Sequence, residues 1–417
     1  MGRIAKDDVI VIGAGQAGLC ASCFLSGHGI EHVVLEAGRI GESWRSQRWD
    51  SFCLVTPNWT VKLPGMSPHA DPDGFMPCSE FVAFMEGFAG SFSAPVETST
   101  KVTAIRRGRS GARFEVQTSR GTRCCDVLII CCGMYQSIRR PAVACHVPAD
   151  INQIDVCSYR KPDELADGSV LVVGSGQSGA QVAEEVRDAG REVYLCVGRA
   201  GRIPRRYRGR DLSCWQFDMG YLDRTPDQLE SPADRFRGDP HVSGLNGGHT
   251  LNLHQFLRDG IKLLGSLEHV SNGTIGFADN LETNMRAADA FADAFCRSVD
   301  SFIRDNGIDV PPPDDDNSDF GGGNGDYPAT PRDLILRDAG IRTIIWATGF
   351  GFDFSWVDFS IFDEFGYPYT RRGVTEVDGL YFLGLNWLHT RKSGIILGAA
   401  GDARHVVEHV RRNLGSP

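Results

Sequence analysis

Six glycines in two groups of three carry the first chemical signal of this chain. Gly13, Gly15 and Gly18, with Ala14, Gln16 and Ala17 between them, follow the apolar run Val9-Ile10-Val11-Ile12. Gly174, Gly176 and Gly179, with Ser175, Gln177 and Ser178 between them, follow Val170-Leu171-Val172-Val173. At this spacing the first glycine makes a strand-to-helix turn, and the second lets backbone N–H groups approach a pyrophosphate. The third lets the helix pack close to the strand. Phosphates then sit on a helix N-terminus, where unpaired amides and the helix dipole favour negative charge. One copy is a weak signal. Two copies, each after an apolar run, point to two dinucleotides held by one polypeptide.

The residues C-terminal to each group separate the two sites. The apolar run after the first, His32-Val33-Val34-Leu35, ends at Glu36, and a carboxylate there can accept from ribose hydroxyls, as in FAD or NAD sites. The run after the second, 192–197, ends in Gly198-Arg199, with Arg202, Arg205, Arg206, Arg208 and Arg210 behind it. A guanidinium at that strand end suits the 2′-phosphate of NADPH, because its planar fork pairs with phosphate oxygens. A solvated basic loop is the plainer account of the later arginines. FAD at the first site and NADPH at the second suits an enzyme passing hydride between nicotinamide and flavin.

These positions need strands and helices to hold them, and the rest of the chain supplies them. At 417 residues, two or three domains are expected. The net charge of −10 argues against general nucleic-acid binding, and no stretch has the length and apolarity of a membrane span. The N-terminus runs straight into the first strand, leaving no room for a signal peptide, so a cytoplasmic location is expected. An oligomer is left open. The thirteen cysteines are odd in number and many fall on core-like runs, which fits reduced, buried thiols. Cys20 and Cys23 have redox spacing but fall on the helix opened by the first glycine group, where a buried structural pair is expected. No second ligand pair stands at a zinc spacing, and no metal is expected.

Residues 1–45 read as strand, helix, strand and turn, and 49–95 as Pro- and Gly-rich loops around a helix at 79–92. Short strands come next at 101–107, 113–119 and 127–132, then a connector at 134–168. Residues 207–310 read as an insertion whose clearest element is a helix at about 281–305, with Leu281, Met285, Ala288, Ala292, Phe295, Val299 and Phe302 on one stripe. The Pro-, Asp- and Gly-rich stretch 311–328 reads as a mobile loop. A strand at 343–347, another at 379–385 and a helix near 399–412 complete the chain.

Together with Trp346-Ala347-Thr348-Gly349-Phe350 and Gly41-Glu42-Ser43-Trp44-Arg45, the two glycine groups resemble the group B flavin-dependent monooxygenases. That family includes flavin-containing, N-hydroxylating, Baeyer–Villiger and plant auxin-forming enzymes. The resemblance spans roughly 1–205 and 333–417. It implies an α/β fold with two Rossmann-like domains: an FAD domain from 1–165 and 333–417, and an NADPH domain, 166–332, inserted in it. It further implies that NADPH reduces FAD, that O2 adds at flavin C4a, and that the resulting (hydro)peroxide oxygenates a small substrate, at N or S in the reading preferred here. By position, Gly13, Gly15, Gln16, Ala17, Gly18 and Glu36 would hold FAD, with Ser43, Trp44 and Arg45 along its flavin side. Gly174, Ser175, Gly176, Gln177, Ser178, Gly179 and Arg199 would hold NADPH, and Thr348 and Gly349 would complete the cofactor sites.

The chain departs from the family at two places: Asp155 stands where a connector His falls, with Tyr159 at that motif's aromatic end, and the Thr-Asn pair becomes Thr56-Pro57-Asn58. Asn58, Trp387 and His389 are the catalytic candidates, with Trp59, Trp215 and His249 as further pocket candidates. Ser393-Gly394-Ile395-Ile396 would open a helix whose N-terminus stabilises negative charge on reduced flavin. Baeyer–Villiger oxygenation, a disulfide reductase or NADPH oxidase on the same scaffold, and a non-catalytic FAD redox sensor are the alternatives.

Overall fold

The computed structural model describes residues 5–108, 111–238, 241–313, 327 and 330–415. Most of the expected 311–328 loop lies outside the described residues.

The first sheet is built on β1 (Ala5–Ile12), flanked by β2 (His32–Leu35), with β3 (Val96–Glu97) beyond, and on its other side by β6 (Gly121–Ile130). The ten-residue β6 has two partners along one edge. Its first half pairs antiparallel with β5 (Phe114–Thr118), which continues the meander to β4 (Val102–Arg107). Its second half pairs parallel with β12 (Leu380–Phe382), Leu128 opposite Leu380.

The second sheet is all parallel. Its order is β10 (Lys262–Leu264), β9 (Val193–Cys196), β8 (Ser169–Val173), β11 (Ile341–Trp346) and β7 (Asn152–Asp155). This corrects the expected boundaries at 165 and 333. Both 152–155 and 341–346 belong to the second sheet, because Ile341–Trp346 finds parallel partners in Ser169–Val173 on one side and Asn152–Asp155 on the other. The two crossings between sheets, just after β6 and just after β11, pair with each other as a short antiparallel ribbon, Phe350 opposite Ile138.

Period-two alternation explains why both sheets are buried on two faces. Val9, Val11 and Val34 face one core, with helix α1 (Gln16–Gly27) and helix α5 (Ile396–Asn413), while Ile10, Ile12, Leu128 and Ile130 face another, with Phe114 and Phe354. In the second sheet Val170, Val172 and Leu195 face helix α3 (Gln177–Asp188), and Leu171, Val173 and Trp346 face Phe277 and Ile275. Residues of both sheets share one continuous apolar cluster, joined through Trp49, Phe52, Val156 and Tyr159. Helix α2 (Cys78–Ser91) packs on the first unit, and helix α4 (Leu281–Asn306) in the insertion carries the expected apolar stripe.

Candidate active site

Each glycine group makes the same cradle. Gly13 and Gly174 both have φ of +103°, and a Cβ would stand 2.6 Å from the Cys131 carbonyl oxygen in the first and 2.5 Å from that of Ala347 in the second. Gly18 and Gly179 lie so close to the opening turn that a Cβ would be 1.9 Å from the carbonyl oxygen of Gly13 or Gly174. The middle glycines differ from both. Gly15 and Gly176 cap α1 and α3 without any side-chain hydrogen bond, and a Cβ on either would meet nothing within 4 Å. Tight turn, close packing and an open space in front of free helix amides are what a pyrophosphate needs. The residues present therefore fit two dinucleotides.

Cys131 and Ala347 were not expected to take part. Cys131-Cys132-Gly133 comes after β6 as Ala347-Thr348-Gly349 comes after β11, and Gly133 and Gly349 both have positive φ. The repeated small-x-Gly after an apolar run was the available signal. Thr348 donates to the Arg139 carbonyl at 2.5 Å, and Arg139 N–H donates to Gly349. Both residues thus stand at the edge of the second cradle and the ribbon between units, not in the first unit, where the expected boundaries put them.

At the first cradle Glu36 is buried, and its carboxylate accepts from Ala14 N–H at 2.7 Å and Gly38 N–H at 2.8 Å. It is fixed at the strand end that the ribose reading requires. Gly41 N–H donates to Ala14, and Trp44 Nε1 donates to Gln16 at 3.3 Å, so the short helix Glu42–Ser46 is tied to the cradle. Arg45 reaches away, to the Ile40 carbonyl and Glu86, and Ser43 is exposed. Two residues past the return strand β12, a Cβ on Gly384 would come within 2.9 Å of Ala17. As expected, the turn beyond it opens helix α5.

At the second cradle the arginines separate. Arg202 and Arg205 are buried in ion pairs with Asp289 and Asp211, Arg206 donates to the Gly247 and Gly248 carbonyls, and Arg208 and Arg210 pair with Asp300 and Asp218. Arg199 is exposed and has no hydrogen bond or ion pair among the described residues. Ser175 Oγ accepts from Gly198 N–H at 3.0 Å, tying the loop before Arg199 to the glycine turn. The Gln177 side chain exchanges hydrogen bonds with the backbone of Val242, so a strand of the insertion is clamped to the start of α3. Two turns further along α3 the insertion's His249 pairs with Glu184 at 2.8 Å, and that hydrogen bond raises the His249 pKa. His241, beside the clamp, is fully buried with neither ring nitrogen partnered.

The structure corrects the reading of Asn58. Its side chain is buried in the loop beyond it: Oδ1 accepts from Met76 N–H at 2.8 Å, and Nδ2 faces the Asp71 carbonyl and His69. Both ends of the carboxamide are taken up by the next loop, its oxygen by the Met76 amide and its nitrogen by the Asp71 carbonyl, so neither is left to meet a cofactor. Trp215 is also a core residue, its Nε1 donating to the Tyr207 carbonyl. Asp155 pairs with Arg140, and Tyr159 is buried against Trp49. Trp59 lies edge-on to Phe217.

Trp387 and His389 share the turn after β12. Trp387 has positive φ and lies under the Arg391 guanidinium. His389 Nδ1 is 3.7 Å from Asp402 on α5. Burial lowers the His389 pKa, with Arg372 adding to it, and burial raises that of Asp402.

All thirteen cysteines are free, and burial raises the Cys20 and Cys23 pKa values. Among the described residues no group of His, Cys, Asp and Glu is arranged to hold a metal, and no helix is long and apolar enough to cross a membrane.

The comparisons agree with this geometry. A family model described as pyridine nucleotide-disulphide oxidoreductase matches residues 10–213. An uncharacterized CzcO-like oxidoreductase of Geobacillus kaustophilus is 30% identical over 410 residues, covering 97% of this chain and 98% of that protein. The chain belongs to the CzcO-like oxidoreductase family. Its likeness to that relative runs through the insertion as well as the two sheets. Indole-3-pyruvate monooxygenase YUCCA1 of Oryza sativa is 25% identical over 316 residues, 70% of this chain and 75% of that protein. In structure, a flavin-containing monooxygenase from Stenotrophomonas maltophilia matches with a TM-score of 0.64 at 18% identity, over 99% of this chain and all of that one. The CzcO-like chain therefore has the two-domain α/β fold of flavoprotein oxidoreductases.

Proposed function

We propose that this oxidoreductase is an NADPH-dependent FAD monooxygenase that oxygenates a small organic substrate, at nitrogen or sulfur. The observation that carries the reading is the pair of matched cradles with opposite strand ends, a fixed carboxylate at the first and a free guanidinium at the second. The first cradle, with Glu36 on the ribose and the Trp44 segment alongside, would hold FAD. The second, with Ser175 fixing the loop and Arg199 on the 2′-phosphate, would hold NADPH. When bound, flavin accepts hydride from the nicotinamide and gives electrons to O2.

The protein's own tasks are to bind both nucleotides, hold them together and exclude water. The insertion serves the last two. It clamps the second cradle through Gln177, and its 224–236 stretch covers the turn after β12, where Asn386 donates to the Arg235 carbonyl and Arg391 N–H to that of Arg224. Trp387 and His389 are the substrate-side candidates, with the buried Asp402 carboxyl beside His389, its pKa raised by burial.

A disulfide reductase needs a reactive thiolate pair at the flavin, and the buried Cys20 and half-buried Cys23, both with raised pKa values, do not supply one. The likeness to an enzyme named as a monooxygenase favours oxygenation. In the test, the NADPH-reduced enzyme is mixed with O2 in a stopped-flow instrument. Reoxidation in two spectral phases, the second hastened by one of a panel of amines and sulfides, is expected. A single phase releasing one hydrogen peroxide per NADPH with every compound would establish an oxidase instead. Arg199→Ala should weaken NADPH roughly ten- to a hundredfold, the worth of a charge-assisted phosphate contact, and leave NADH unchanged.

A further inference from the structure

The insertion helix α4 runs beside the segment that links β9 to the rest of the insertion, and it touches that segment repeatedly. Asn284 Nδ2 donates to the Val197 carbonyl at 3.0 Å, an acceptor shared with Ser266 Oγ. Asp289 accepts from Arg202 at 2.9 Å through one oxygen and meets His254 Nε2 at 2.9 Å through the other. Burial pushes the Asp289 pKa up, but the His254 and Arg202 hydrogen bonds outweigh it and the net shift is down. The Phe291 ring lies 3.1 Å from where a Cβ on Gly201 would stand. Further along, Asp300 accepts from Tyr207 Oη at 2.9 Å and Arg208 Nε at 2.6 Å. The contacts span roughly 24 Å of helix at 1.5 Å per residue. Within this braced stretch Arg199 alone of the arginines is left exposed and without a partner among the described residues.

We propose that α4 sets which nicotinamide nucleotide the enzyme accepts, with Asp289 as the positioning residue. By anchoring Arg202, Asp289 holds the 198–202 loop so that Arg199 stands ready for the 2′-phosphate. A loop already ordered loses less entropy on binding, so the brace strengthens the phosphate contact without touching the ligand. A nucleotide lacking that phosphate gains nothing from it. The inference rests on the assignment of the second cradle to NADPH.

Equilibrium titration calorimetry of the FAD-loaded enzyme with NADP+ and with NAD+ tests it, since both measure binding without turnover. Asp289→Asn should weaken NADP+ by about three- to tenfold and leave NAD+ unchanged. Phe291→Ser, at a ring that is 41% exposed and so tolerant of replacement, should move NADP+ in the same direction and keeps the test alive if Asp289→Asn folds poorly. In an Arg199→Ala background neither change should alter the ratio of the two affinities further. Equal weakening of NADP+ and NAD+ would overturn the inference, as would an undiminished effect of Asp289→Asn without Arg199. If Arg199→Ala removes the NADP+ preference while Asp289→Asn and Phe291→Ser leave it whole, α4 has no such role and the cradle assignment stands. If Arg199→Ala leaves the preference intact, the phosphate role of Arg199 fails, and the inference with it.

Discussion

Two buried polar side chains show how single residues divide between chemistry and folding. Asn58→Ala would strip the buried Met76 N–H of its acceptor, at a cost of about 1–3 kcal/mol. Thermal unfolding of that variant should fall measurably, while flavin reduction by NADPH should keep its rate. A lost rate at unchanged stability would return Asn58 to the catalytic set. His241 makes a pH prediction. Burial of the unpartnered imidazole holds its pKa at about 4. The unfolded chain binds this proton near pH 6.5 and the folded chain does not. Stability linked to His241 is therefore present above pH 6.5 and lost as pH falls to about 4. The gap is worth roughly 3 kcal/mol. Denaturant titrations at pH 7 and 4.5 should show His241→Leu losing less stability on acidification than the parent. An equal loss in both would mean the imidazole titrates normally.

Helix α5 joins the chain's end to its beginning. Ala403, Val406, Val407 and Val410 are fully buried in the cluster that also holds Leu19, Cys20 and Leu25 of α1. Because α1 starts at the first cradle, α5 supports that cradle from behind. Val406→Ala should cost about 2 kcal/mol from lost burial and the cavity left behind, and should lower flavin retention with the melting temperature. A variant that melts early yet keeps its flavin through dialysis would disconnect α5 from the first site. Helix α3 has a different burden. Its N-terminus must stay free for phosphate, so its side chains at Gln177 and Glu184 bind the insertion instead of capping the helix.

At the scale of the molecule the two cradles lie on separate sheets but over a shared core. Gly174→Val adds a β-branched side chain at φ +103° with the Ala347 carbonyl in its path. It should abolish NADP+ binding, read by titration, while FAD stays at about one per chain. Loss of both cofactors would show that the sites cannot be broken separately. Calorimetry of the parent should give one unfolding transition, because Trp49, Phe52, Val156 and Tyr159 join the two sheets through a continuous apolar interface. Two resolved transitions would mean that this interface is too weak to couple them.

The sequence alone determined the two cradles, since glycine at a tight turn, an open approach and a close packing position are local demands of the backbone. It also determined the helix at 281–306 and the final helix, whose apolar stripes are periodic. The acid at Glu36 and the arginine at 199 were legible for the same reason, because strand ends can be read directly from apolar runs. Partners distant in the chain were not legible. Only the fold brought 152–155 and 341–346 to the second sheet, because a short apolar strand has no local mark of which neighbour it will pair with. Only the fold separated Arg199 from the arginines behind it, four of which meet acids at 211, 218, 289 and 300 while Arg206 meets the carbonyls of 247 and 248. And only the fold turned Asn58 inward, since an amide after proline reads alike in sequence whether it faces a cofactor or the next loop.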